Sequence, residues 1–197
     1  ITQKELENRL FDNGDFSNIK SIVMIQCVGS RNEENPYCSR ICCSEAIKNA
    51  IKLKEQYPDK EVSILYRDIR TYGFKEKYYR EAREKGILFI RYKKESPPEL
   101  ISNKEQIKIN LKNKGLGDIL LDLDLLVLST GMIAPSKGNE TLAKLLKVPL
   151  NEDKFFLEAH VKLRPVDFAT EGIFLCGTAH GPATIGESIA QANSAVS

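Results

Sequence analysis

The chain has 197 residues, 42% of them hydrophobic and 28% charged, with a formal net charge of +2. This length can bury a full core in one or two domains, and the balance fits a globular protein. So small a net charge gives no argument for a nucleic-acid partner. No apolar run approaches the roughly 18–20 residues that span a membrane, and no stretch of these residues reads as a secretory signal. Five cysteines without such a signal point to a metal or redox site rather than a disulfide framework. A reducing cytoplasm is the expected setting. The start at Ile1 and the end at Ala195-Val-Ser read as a piece of a longer protein.

In chain order, residues 1–20 form a polar lead-in, with Leu6, Leu10 and Phe11 on one face of a short helix that Asn13-Gly14-Asp15 breaks. Residues 21–26 are a continuous apolar run, which suits a strand of a parallel sheet covered on both faces. After a cysteine-rich loop, residues 44–56 carry Ile47, Ala50, Ile51 and Leu53 at helical spacing, and Glu61 to Tyr66 is the next strand. Strand, loop, helix and strand over about 45 residues make a right-handed βαβ unit the economical reading. A helix over 75–85 capped by Gly86 and a strand over 87–91 extend it until Ser96-Pro-Pro98.

Residues 99–112 alternate with period two, predicting a hairpin that turns at Asn103-Lys104. A second turn follows at 113–117, then a buried strand within 119–129 ending at Thr130-Gly131-Met132. A helix over 139–147, a strand over 172–176 and a helix over 184–195 complete the chain, with Phe155 and Phe156 in a short strand or loop. The predicted architecture is α/β: a Rossmann-like, nucleotide-type domain with βαβ units and a β-hairpin or meander, plus the C-terminal part of an FAD-binding domain. The boundaries are 1–20 for the lead-in, 21–131 for the Rossmann-like NAD(P)-type domain carrying the cysteines, and 132–197 for the FAD-domain part.

Cys27, Cys38, Cys42 and Cys43 fall within seventeen residues as C-x10-C-x3-C-C. Structural zinc sites usually draw on two separated C-x2-4-C pairs, and no C-x2-C exists here. An adjacent pair can serve two corners of a cube more easily than one tetrahedral ion, so the spacing favours [4Fe–4S] over zinc. A zinc or dithiol site and a set of small buried residues stay open as readings of the spacing. Gly29 stands where G-x-G-x-x-G would mark a dinucleotide turn, so the cysteines replace a nucleotide turn. Cys176, at a strand end, reads as a core residue.

The segment Gly177-Thr-Ala-His180 leading to Thr184-Ile-Gly186 is a strand–loop–helix junction rich in small residues, suited to an anionic oxygen. It is also consistent with an ordinary α/β connection. His180, in this loop, ranks above His160. Residues 64–94 hold ten basic and four acidic side chains, a solvated face or a docking face for an acidic partner.

Val23-Met-Ile-Gln-Cys-Val-Gly-Ser-Arg31, Pro36-Tyr-Cys-Ser-Arg40, Cys42-Cys43, Tyr66-Arg-Asp-Ile-Arg70-Thr-Tyr-Gly73, Leu163-Arg-Pro-Val166, Gly172-Ile-Phe-Leu-Cys-Gly177 and Ala190-Gln-Ala192 together resemble the A subunit of heterodisulfide reductase. The resemblance implies a thioredoxin-reductase-like fold and an oxidoreductase. It implies a [4Fe–4S] cluster on Cys27, Cys38, Cys42 and Cys43 beside FAD, with electrons passed on or bifurcated. It implies Lys48 near the flavin ring as a catalytic cation. It implies FAD contacts from Gly177, Thr178, Ala179, His180, Thr184, Ile185 and Gly186, although related disulfide reductases carry Gly-Asp where this chain has Gly177-Thr178. The implied partners are other heterodisulfide-reductase-type subunits, together with an electron donor of hydrogenase or formate dehydrogenase type, and a homodimer is among the assemblies open to it. The alternative is a pyridine-nucleotide-dependent disulfide-reductase-like flavoprotein with a dithiol or zinc site.

Overall fold

A computed structural model describes residues 1–102, 106–112 and 117–197. The chain divides into two compact units, Ile1–Gly29 with Cys42–Thr130, and Ser30–Ile41 with Gly131–Ser197.

In the first unit, β1 (Ser21–Val28), β2 (Glu61–Tyr66), β3 (Leu88–Arg91) and β7 (Leu125–Thr130) form one sheet in the order β3-β2-β1-β7. All its neighbours pair in parallel, with Ser21 opposite Glu61 and Ile22 opposite Leu125. This is the expected βαβ arrangement, and α2 (Cys42–Gln56) makes the first crossover. One face of the sheet packs on α1 (Gln3–Phe11), α2 and α3 (Glu76–Glu84) through Leu6, Leu10, Ile22, Met24, Ala46, Ile47, Ala50, Leu53 and Ile64. The other face, with Val23 and Leu65, packs on Ile109, Leu111 and Leu123 of a second sheet. That sheet is an antiparallel meander of β4 (Glu99–Ser102), β5 (Ile107–Leu111) and β6 (Ile119–Leu123). Burial on both faces explains why β1 lacks alternation.

Several local expectations change. Phe11 is 77% exposed, with the Lys52 amine 5.8 Å from its ring centroid. The strand expected within 119–129 is two strands in different sheets. The chain turns at Asp124, whose carboxylate accepts from the Lys20 and Ser21 N–H groups at 2.7 and 3.0 Å. The Asn103-Lys104 turn and residues 113–116 lie outside the described residues. The helix expected from residue 44 begins at Cys42, so the adjacent cysteines sit in its first turn.

In the second unit, α4 (Ser136–Leu146) and α5 (Ile185–Ala195) flank irregular chain, with Ala143, Val148, Phe156, Phe168 and Leu175 as the core. Residues 172–176 do not form a ladder strand. They join the 166–168 segment through the single Asp167–Phe174 bridge and the Leu175 N–H to Val166 carbonyl bond of 2.7 Å. Among the described residues no helix is long and apolar enough to cross a membrane.

Candidate metal centre and cofactor loop

The β1–α2 connection departs from ordinary backbone geometry where its sulfurs are. Cys27 (φ 64°), Arg31 (φ 56°) and Arg40 (φ 62°) are left-handed although none is glycine, and Gly29 is left-handed at φ 70°. Such residues cost on the order of 1–3 kcal/mol each and gather at functional sites. At Cys27 the β1–β7 register shifts between Ile25 and Val28, which takes the residue off the regular ladder.

In the first unit, Cys42 and Cys43 open α2 and are each 3% exposed. The N-terminal turn carries the positive end of the helix dipole, where sulfur carrying negative charge is favoured. Cys43 Sγ lies 3.7 Å from the Asp68 carbonyl, to which its thiol donates. Lys48 lies on the same helix and lines a groove of about 620 Å³ with Ser44, Ile47, Thr71, Lys75 and Tyr78. Its ammonium meets Glu7 Oε1 at 2.5 Å. The hydrogen bond from Lys48, and then that from Lys4, holds the Glu7 carboxyl down to about 2. This value lies below the ordinary range, so the pair stabilises the fold above about pH 4.3 and loses that contribution as the pH falls toward 2. Partial exposure keeps the contribution small. Lys48→Met is expected to move the Glu7 titration upward, read by NMR, and to shrink the acid-dependent part of the stability. An unmoved Glu7 would contradict the pairing.

In the second unit, Cys38 Sγ accepts from the Arg40 N–H at 3.3 Å, a contact suited to an anionic sulfur. The loop is held at Met132, whose N–H donates to Ser39 Oγ at 2.8 Å and whose carbonyl accepts from Tyr37 at 3.0 Å. The Arg40 guanidinium reaches the Pro182 carbonyl at 3.2 Å and pairs with Glu187. Thr184 caps α5 in a reciprocal box with Glu187, and Thr184's backbone N–H together with its hydroxyl and Arg40 keeps that carboxyl below its usual range despite some burial.

The loop of residues 177–186 begins with Gly177 at φ 64°, and His180 sits in a defined chain of partners. The Gly177 N–H can only donate, so Gln191 offers it Oε1, at 2.6 Å. Gln191 Nε2 therefore faces His180 Nδ1 at 3.3 Å as donor. That leaves His180 Nε2–H to donate to Glu158 Oε2 at 2.8 Å. Burial pushes the Glu158 carboxyl up, but its own backbone N–H and His180 outweigh this, and it rests below its ordinary value. Ile185 is 81% exposed. His160 accepts from the Lys162 and Leu163 N–H groups within its own turn. Cys176 is exposed, not a core residue, because the segment carrying it is not a buried strand.

Among the described residues no three Cys, His, Asp or Glu side chains are grouped to hold a metal ion. Cys27, Cys42 and Cys43 belong to the first unit and Cys38 to the second. The donor set nonetheless fits an iron–sulfur cluster in chemistry. It has four thiols, two of them in a helix N-terminal turn, and the buried Gln26 amide beside Cys27 has no partner among the described residues for either polar atom. Sequence reasoning missed Gln26, Arg40, Glu158, Gln191 and Glu187. Of these, only the Thr184-x-x-Glu187 box carries a readable local signal.

No protein-family model matches the chain. The A subunit of the ferredoxin:CoB-CoM heterodisulfide reductase of Methanosarcina acetivorans is 43% identical over 178 residues, 88% of this chain and 22% of that protein. The iron-sulfur A subunit of the CoB–CoM heterodisulfide reductase of Methanocaldococcus jannaschii is 44% identical over 181 residues, 89% of this chain and 27% of that one. The chain is a homologue of a segment of the heterodisulfide reductase A subunit. The A subunit of the H(2):CoB-CoM heterodisulfide,ferredoxin reductase of Methanothermobacter marburgensis matches 99% of the chain at 39% identity, over 31% of its own length. The chain thus spans under a third of the length of the curated relatives it matches. Its α/β architecture with a parallel sheet is the one predicted from the order of apolar runs and helical spacing. Among solved structures, sulfide:quinone oxidoreductase from Aquifex aeolicus aligns at TM-score 0.49 and 13% identity, covering 89% of this chain and 38% of that one. Bacillithiol disulfide reductase from Bacillus cereus aligns at 0.45 and 15%, covering 82% and 42%.

Proposed function

We propose that this chain is the cluster-carrying and partly flavin-contacting segment of a heterodisulfide-reductase-A-type oxidoreductase. The observation that carries the reading is identity of about 40% along nearly the whole chain to proteins of that name, one of them called an iron-sulfur subunit. Cys27, Cys38, Cys42 and Cys43 are the proposed ligands. Cys42 lies four residues after Cys38, at most about 14 Å of extended chain, and the adjacent pair sits in the first turn of α2.

When bound, a [4Fe–4S] cluster supplies one-electron transfer, and FAD exchanges electrons singly or in pairs. Gly177, Thr178, Ala179, His180, Thr184, Ile185 and Gly186 are the proposed FAD contacts. The Glu158–His180–Gln191 chain keeps His180 in one tautomer and fixes the Gly177 end of that loop. Lys48, about one and a half turns past the cysteine pair, is proposed to offer a cation to a reduced flavin ring. The M. marburgensis relative is named for two acceptors, which supports splitting of an electron pair as part of the same reading. Names citing H(2) and formate support donor partners of hydrogenase or formate dehydrogenase type, and a cytoplasmic setting suits such partners.

The test is anaerobic reconstitution with iron and sulfide, followed by metal analysis, EPR after dithionite reduction and a flavin-fluorescence titration. About four irons per chain and a reduced-cluster EPR signal are expected. Fewer than about two irons with no such signal would overturn the cluster reading.

A further inference from the structure

We infer that the side-chain amide of Gln26 donates an N–H to sulfur of the cluster proposed above, stabilises its reduced form and so raises its reduction potential. This rests on the cluster reading and assigns a tuning residue that is not one of the ligands.

Gln26 is 0% exposed, and neither Nε2 nor Oε1 has a hydrogen-bond partner among the described residues. A buried amide with both ends unmet is costly and rare, and calls for a partner that protein atoms do not provide. Other buried polar atoms nearby, Asn49 Oδ1 and Ser44 Oγ, also lack a partner among the described residues, but Gln26 is the side chain with both of its polar atoms unmet there. Two residues earlier on the same strand, Met24 packs beside Gln3, whose amide is matched to Ser129 Oγ at 3.2 Å and to Asn49 Nδ2 at 2.9 Å.

The position of the amide follows from register. Side chains alternate along a strand, so Gln26 shares a face with Ile22 and Met24. Both pack in the core with Ala46, Ile47 and Ala50 of α2. Gln3 bridges Met24 to Asn49, which sets the level of Asn49 on the strand. Two strand residues advance about 6.6 Å, as do about four helical residues. Because α2 runs back against the strands, Gln26 lies at the level of its first turn, where Cys42, Cys43 and Ala46 begin the buried stripe. The next residue along the strand is Cys27. The amide is thus a neutral donor close in register to three of the proposed ligands, as is the Ser44 hydroxyl beside Cys43.

One-electron reduction adds negative charge to the sulfurs. An N–H donor therefore binds the reduced state more strongly than the oxidised one, and hydrogen bonds to sulfur are among the levers that set cluster potentials. A glutamine does this without adding a charge that the buried site would have to neutralise.

The experiment uses the anaerobically reconstituted holoprotein, with Gln26→Met as the variant that keeps the length and removes the donor, and Gln26→Glu as its complement. EPR-monitored redox titration is expected to show about a tenfold smaller ratio of reduced to oxidised cluster at the wild-type midpoint in Gln26→Met, equivalent to ~59 mV for one electron. Gln26→Glu is expected to lower the potential at least as far. A nitrogen coupling of an amide in the pulsed EPR of reduced wild-type protein, absent in Gln26→Met, is the second readout and does not depend on the variants folding equally well. Unchanged potentials with full iron content, or no such coupling in the wild type, overturn the inference and leave water as the amide's partner. A wild-type protein that binds no iron overturns the cluster reading itself.

Discussion

Cys43→Ala is expected to abolish the reduced-cluster EPR signal and to cut iron incorporation by more than half, while Cys176→Ala retains both in full. The contrast rests on placement. Cys43 is 3% exposed in the first turn of α2, at the positive end of a fifteen-residue helix. Its sulfur is near the Asp68 carbonyl, so exchanging a thiol donor for a metal-bound thiolate costs one weak hydrogen bond and gains a strong bond to iron. Cys176 is exposed and borders a 3-10 turn. Alanine is well tolerated in a helix, and Cys176 is exposed outside one, so circular dichroism should show both variants folded. Equal iron in Cys43→Ala and wild type would remove Cys43 from the ligand set, and loss of iron in Cys176→Ala would put a fifth sulfur into it.

Asn49→Ala is expected to destabilise the first unit by about 2–3 kcal/mol, the sum of a lost side chain and polar groups left unmet in the core. Asn49 is fully buried in the middle of α2. Its amide donates to the Gln3 carbonyl at 3.1 Å and to Gln3 Oε1 at 2.9 Å. Gln3 Nε2 in turn reaches Ser129 Oγ. One asparagine therefore links α1, α2 and the end of β7. Urea denaturation measures the effect. A double-mutant cycle with Gln3→Ala should give a coupling of about 0.5–3 kcal/mol, the range for residues in one network. A loss below about 0.5 kcal/mol would mean that packing alone ties α1 to the domain.

The parallel sheet was legible because β1, β2 and β7 read as apolar runs and α2 repeats its apolar residues every three to four positions. That signal belongs to local sequence. The split at Asp124 was not legible, because a carboxylate that turns the chain by capping two backbone N–H groups, 103 and 104 residues earlier, leaves no local mark. Residues 172–176 failed in the opposite way. Ile173 and Leu175 have the spacing of a half-buried strand, but a ladder needs a partner, and among the described residues the bonds shown to them come from the 166–168 segment. At the candidate site the cysteines and the small-residue loop could be picked out by residue type. Gln26 could not, since an apolar strand with one polar residue looks the same whether that residue is satisfied or not. Nor could the Gly177–Gln191–His180–Glu158 chain, whose members come together only through tertiary packing.

The left-handed backbone at Cys27, Arg31 and Arg40 marks where this sequence is locally frustrated. At each of the three, glycine would adopt the same conformation with less strain. Elsewhere most local choices agree with the fold: Thr2 and Thr184 box their helices, glycine occupies the left-handed turn at residue 86, and the other left-handed non-glycine residues, Asn13, Lys147 and Lys154, stand singly. Between residues 27 and 40 the agreement stops, and a sulfur and two guanidinium groups are kept against the preference of the backbone beneath them. Part of the folding free energy is thus held back in a short connection rather than released into the core, and it is held in the stretch that carries the chemistry.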